Sequence, residues 1–169
     1  ISGDLTDHFD PRTNSISLSD SVYGSTSVAA IGVAAHESGH AVQYAEGYAP
    51  LKFRNAIVPV TQFGAKLSTP LVILGLILSI YPLAYAGIIL FGAVVVFQLV
   101  TLPTEFNASR RALAVLEEGN YLDGEELRGA KKVLSAAAMT YVAALFMSLM
   151  SLLRLIVIVS GSKNSRNRR

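Results

Sequence analysis

"VLSAAAMTYVAALFMSLMSLL", residues 133–153, runs for 21 residues without a charged side chain. A helix needs about 20 apolar residues to cross the hydrocarbon core, and it can cross because its backbone polar groups are satisfied internally. Upstream, "LAYAGIILFGAVVVFQLVTL" at 83–102 is a second stretch of this kind. The chain from Val60 to Ile80 is a third, with Pro70 inside it and a tight break around Pro82. A chain of 169 residues cannot enclose three such helices in a soluble core. The mean hydropathy of +0.46, with 51% hydrophobic and 15% charged residues, agrees. The expected fold is therefore mainly α: a multi-pass membrane protein with about three transmembrane helices.

The polar parts lie around these spans. In residues 1–24, "LTDHF" (5–9) and "SISLS" (15–19) read as two short strands joined by the turn "DPRTN", a small N-terminal β-hairpin. "STS" at 25–27 is a helix start signal, and Val28–Glu46 contains no proline before Gly47 closes the helix. Pro103 reads as the opening of a polar helix that stops at Gly119-Asn120. A new start follows at Asp123, with Glu126 as its capping-box partner. The expected organisation is 1–55 as an N-terminal catalytic part, 56–102 as a transmembrane hairpin, 103–132 as a helical segment, 133–159 as a transmembrane helix and 160–169 as a basic tail. The chain opens at Ile1 without an initiator Met or a signal-peptide pattern, which suggests a fragment with residues upstream.

There is no cysteine, so disulfides and thiolate metal sites are excluded. The net charge of +2 comes with no aromatic–basic platform, which sets nucleic acid aside as a partner.

One apolar helix is interrupted. In "AAHESGHAVQ", residues 34–43, His36 and His40 stand four apart and share one helical face. Two imidazoles so placed can hold one zinc ion at about 2.0–2.1 Å each. Glu37 is rotated off the ligand direction, where it can take a proton from the activated water. With three His and seven Glu in the chain, an HExxH string arises by chance with a probability of about two in a thousand.

A catalytic zinc takes three protein ligands and keeps one open position. Where a metzincin would have its third histidine, this chain has Glu46. His8 sits in the hairpin, Glu117 and Glu118 end a helix, and Glu125 and Glu126 belong to a helix start. Glu105 stands apart: it begins a helix at the end of a span, with small Ala108 and Ser109 one turn on. Two crossings separate it from His40, so both lie on the same side of the bilayer. Around it, Asn107, Ser109 and Arg110, together with His8, are the residues expected to support the ligands or touch substrate. Residues 5–9 are the candidate edge for an extended substrate.

"DHFDPRTNSISLSDSVYG", "AAHESGHAVQYAEGYAPLKFRN" and "FQLVTLPTEFNASRRALAVLEEG" resemble the YugP-type membrane zinc metallopeptidases, the neutral zinc metallopeptidase family of bacteria. The resemblance covers nearly the whole chain. It implies one Zn2+ held by His36, His40 and Glu105, with Glu37 as catalytic acid/base in a zincin- or gluzincin-like site. It also implies a further membrane helix upstream and a place in the bacterial cell membrane. "EFNASRRA" is similar to the E-x-x-A-D-R block of the HtpX and CAAX prenyl protease group. Arg110 matches that block, but Ser109 stands where the group has Asp.

Two other readings compete. A site-2-type intramembrane protease would use Asp123 of "YLDGEE" as third ligand, but capping chemistry explains that aspartate without metal. A catalytically inactive zinc-binding scaffold would want a fourth ligand where this chain offers the base Glu37. The expected partners are the lipid bilayer and a peptide or membrane-protein substrate. Lys52, Arg54, Arg110, Arg111, Arg128, Lys131 and Lys132 lie on the catalytic side of the spans. Lys163, Arg166, Arg168 and Arg169 lie on the other, with Arg154 at the boundary. The positive-inside rule then favours an active site facing the cytoplasm.

Overall fold

The computed structural model describes residues 1–166, with side chains through Asn164. Its elements are β1 (His8–Asp10), β2 (Ser15–Ser17), α1 (Val28–Ala45), α2 (Ala49–Ile77), α3 (Tyr81–Glu118) and α4 (Gly124–Arg166). The mainly helical architecture with a small hairpin follows the hydropathy pattern. Helices α2, α3 and α4 are each long and apolar enough to cross a membrane.

Two expected boundaries are corrected. Pro103 opens no helix: it lies inside α3, which joins the span at 83–102 to the segment carrying Glu105. Proline removes one N–H, and the rest of such a helix keeps its internal pairing because a bilayer offers no water to replace it. Likewise α4 runs unbroken from the polar segment through the third span to Arg166, so 160–166 is helix rather than tail. Arg168 and Arg169 lie outside the described residues. The hairpin is also shorter than expected. Leu5 takes φ 57°, a left-handed conformation that cannot continue a strand, so pairing starts at His8↔Ser17 and ends at Asp10↔Ser15.

The chain divides into two compact units, the first comprising 1–52 and 101–141. Here α1 starts at Ser27, whose side chain accepts from the Ala30 N–H at 3.2 Å, and stops before Gly47 at φ +68°. Phe9 of β1 stacks at a tilt on Tyr44 of α1, with centroids 5.7 Å apart. The start of α4 has the capping box read from sequence: the Asp123 carboxylate accepts from the Glu125 and Glu126 amides at 2.8 Å, and Glu126 accepts from the Asp123 amide at 3.0 Å. Small residues let the helices approach. Ala108, Ala112 and Ala130 are fully buried, and Gly32 of α1 lies against Ala130 and Leu134 of α4.

The second unit comprises 53–100 and the chain from 142. Its helices also meet through small residues: a methyl group added at Gly87 would sit 2.6 Å from the Ser68 carbonyl oxygen, and one at Gly64 would sit 2.8 Å from that of Leu90. Small residues are what lets helix backbones pack closely in a membrane, where lipid removes the hydrophobic drive for helix association. Its core is formed by Val72, Ala84, Ile88 and Val159. Large apolar side chains point outward, among them Phe63 (68% exposed), Ile89 (73%) and Phe146 (62%). Three neighbouring helices with that exterior match a lipid solvent better than water.

Candidate metal centre

The close approach of α1 to α3 makes the site. A methyl group added at Gly39 would lie 2.6 Å from the Ala108 carbonyl oxygen, so only a glycine lets the two backbones come this near. Gly39 is one of the two unspecified residues of HExxH, and at this distance it carries a structural demand that the motif does not express. The approach brings Glu105, 2% exposed, onto the face that presents His36 and His40. His36 Nε2 is 3.2 Å and His40 Nε2 3.5 Å from Glu105 Oε2. Ligands about 2.0–2.1 Å from a tetrahedral ion stand about 3.3 Å from one another, so these atoms already lie at tetrahedral edge lengths. Among the described residues, His36, His40 and Glu105 are the group of three side chains able to hold a metal ion, with two nitrogens and one oxygen as donors. That donor set fits zinc.

Both imidazoles are oriented through Nδ1. His36 Nδ1 lies 3.1 Å from Ser109 Oγ, within hydrogen-bond distance. His40 Nδ1 is 2.9 Å from Gln43 Oε1. The tautomer of His40 follows from the surrounding bonds. Gln43 Nε2 donates to the Thr104 carbonyl at 2.8 Å and to Asn107 Oδ1 at 2.9 Å, which leaves Oε1 to accept from His40. His40 therefore carries a proton on Nδ1, and in its neutral form the lone pair is on Nε2, the nitrogen nearest Glu105. Asn107 Oδ1 also accepts from Arg111 Nε at 2.8 Å, and Arg111 pairs with Glu46 at 2.7 Å. Burial pulls the His40 pKa down, but hydrogen bonding to Glu105, its charge, Gln43 and the charge of Glu37 together raise it above the ordinary imidazole value. The same negative field favours a dication.

Glu37 is buried on α1 and lines one cleft with His36, Glu105 and Ser109. It completes the set that the HExxH spacing calls for.

Other expectations change. Arg110 is exposed, and its neighbour Arg111 carries the contacts; Arg111 lies one turn beyond Asn107, whereas Arg110 is rotated away. His8 is exposed and bonds locally to the Thr6 carbonyl at 2.8 Å. Leu5 and Asp7 line the cleft in its place. Asp123 is occupied in capping α4. Gln43, fully buried, had no motif to mark it, although a glutamine three residues after His40 on an apolar helix is itself a signal.

The network gives a prediction. Gln43→Leu removes the acceptor that orients His40 and leaves the Thr104 carbonyl without this donor. Zinc affinity should fall about 10- to 100-fold by competition titration, while helical content stays near that of the parent. Unchanged affinity would mean that the His40–Gln43 bond plays no part in metal binding.

Fold and site meet in a known class. The family model described as "Putative neutral zinc metallopeptidase" matches residues 1–160, and the chain belongs to that family. It is 47% identical over 164 residues to the protein named "Putative membrane protease YugP" from Bacillus subtilis (strain 168), across 97% of this chain and 73% of that protein. No solved structure matches the chain.

Proposed function

We propose that this chain is a zinc-dependent membrane endopeptidase. One observation carries the reading: His36, His40 and Glu105 present ligand atoms within 4.8 Å of one another, and the buried Glu37 shares the cleft that His36 and Glu105 line. Zinc held there supplies Lewis acidity toward a peptide carbonyl and toward water. The chain's own residues do the rest. Glu37 takes a proton from the attacking water and delivers it to the departing amide nitrogen. Ser109 and Gln43 hold the imidazoles by Nδ1 so that Nε2 stays directed at the centre. The cleft walls orient the peptide.

The capping role of Asp123 supports Glu105 over the site-2-type ligand set, and Glu37 supports turnover over a scaffold role. The test is cleavage of peptides by the zinc-loaded chain beside its Glu37→Gln variant, with zinc content measured on both.

Membrane proteins or peptides at the cytoplasmic surface of a bacterial cell membrane are the proposed substrates. The Lys and Arg asymmetry supports this orientation. The chain has no cysteine, which makes labelling unambiguous. A cysteine at exposed Asn164 should react with an impermeant maleimide in intact cells, and one at exposed Asn120 should not. The opposite pattern would put the site outside.

A further inference from the structure

The cleft beside the metal-competent atoms has a volume of about 450 Å3 and a lining of both polar and apolar residues. His36, Glu37, Glu105 and Ser109 are among the polar ones. The rest of the lining includes a mostly apolar wall, Val33 of α1 with Leu134, Ala137, Ala138 and Tyr141 of α4; Thr140 also lines it, and its hydroxyl donates to the Ala137 carbonyl. Leu134 and Ala138 are buried, each 3% exposed, while Ala137 and Tyr141 are exposed. Asp4 and Asp7 stand on the N-terminal part of the lining. Asp7 accepts from the Ser19 amide at 2.7 Å and from its hydroxyl at 3.1 Å, which pins that segment in place.

We infer that the apolar wall is a subsite for a large apolar side chain next to the scissile bond, an inference that takes its scissile bond from the endopeptidase reading. Three features point there. The wall is continuous with the residues that would act on the peptide, so a chain held at the centre lays a neighbouring side chain against it. Ala137 and Ala138 put the smallest side chains where larger ones would fill the space, and a cleft of this size accepts a leucine or phenylalanine. An acidic side chain would be desolvated there and would face Asp4 and Asp7. Residues 134–141 are moreover the beginning of the uncharged stretch 133–153, so the wall belongs to a candidate membrane span. The substrate class is therefore a peptide segment of apolar sequence, cut beside an apolar residue.

The experiment uses the zinc-loaded full chain in detergent. It takes peptides in which each of the two residues flanking the cut is Ala, Leu, Phe, Lys or Glu in turn. At one of the two positions, kcat/KM for Leu or Phe should exceed that for Ala by about 10-fold or more, and that for Glu by about 100-fold. Exposed Ala137 tolerates change, and Ala137→Leu should lower the Phe-to-Ala ratio about 10-fold. Binding of the same peptides to Glu37→Gln, followed by fluorescence anisotropy, should give the same order without turnover. Equal cleavage across the series, or a ratio that Ala137→Leu leaves unmoved, overturns the subsite. Absence of cleavage with the anisotropy order intact overturns the endopeptidase reading and leaves the apolar subsite standing.

Discussion

Glu37→Gln should lower kcat for peptide hydrolysis by about 10²- to 10⁴-fold, the usual contribution of a positioned acid/base, equivalent to about 3–5 kcal/mol of barrier. Zinc affinity should stay within a few-fold of the parent, because His36, His40 and Glu105 are untouched. The reason lies in the geometry. Glu37 follows His36 directly in the helix, so its carboxylate is rotated away from the donor atoms while still lining their cleft. Glutamine preserves the shape but holds no titratable proton. If the variant loses zinc and activity together, Glu37 is a ligand and the division of roles is wrong; if it stays fully active, it is not the base.

The second large effect falls on a residue with no functional group. Gly39→Ala puts a methyl carbon 2.6 Å from the Ala108 carbonyl oxygen and 3.2 Å from Ala108 Cα. Backbone cannot swing aside as a side chain can, so α1 and α3 must separate. Overpacking of this kind costs about 1–3 kcal/mol. Here the displacement acts at the contact that sets the His36–Glu105 and His40–Glu105 distances. Zinc affinity should therefore fall at least about 10-fold along with thermal stability, as for groups that orient ligands. Ser38→Ala, one residue away and exposed, should change stability by no more than about 0.5 kcal/mol. Equal behaviour of the two variants would remove Gly39 from the account.

How much of this was legible depends on whether a feature is local. The spans were readable because hydropathy over 20 residues states a solvent. His36, Glu37 and His40 were readable because helical spacing alone places them. Glu105 lies 65 residues beyond His40, yet the count of crossings put it on the same side, and the small residues after it left room at a metal. Pro103 misled because proline signals a helix start in water, whereas within α3 it is carried by a long self-paired helix. The strand limits failed at Leu5, whose positive φ no residue type announces. Arg111 rather than Arg110 joins the network because only the residue one turn after Asn107 shares its face. Gln43 and Gly39 went unmarked because what they do is defined by partners on α3, which adjacency in sequence does not reveal.

The account stands on a single ion held jointly by α1 and α3. Zinc content and affinity of the purified chain, compared with Glu105→Ala, test it most directly. The parent should bind one zinc ion per chain, and Glu105→Ala should bind it at least about 100-fold more weakly, since removing a ligand exceeds the effect of disturbing a residue that supports one. Full zinc occupancy and unchanged affinity in Glu105→Ala would contradict the shared centre and leave the histidine pair of α1 without its third partner.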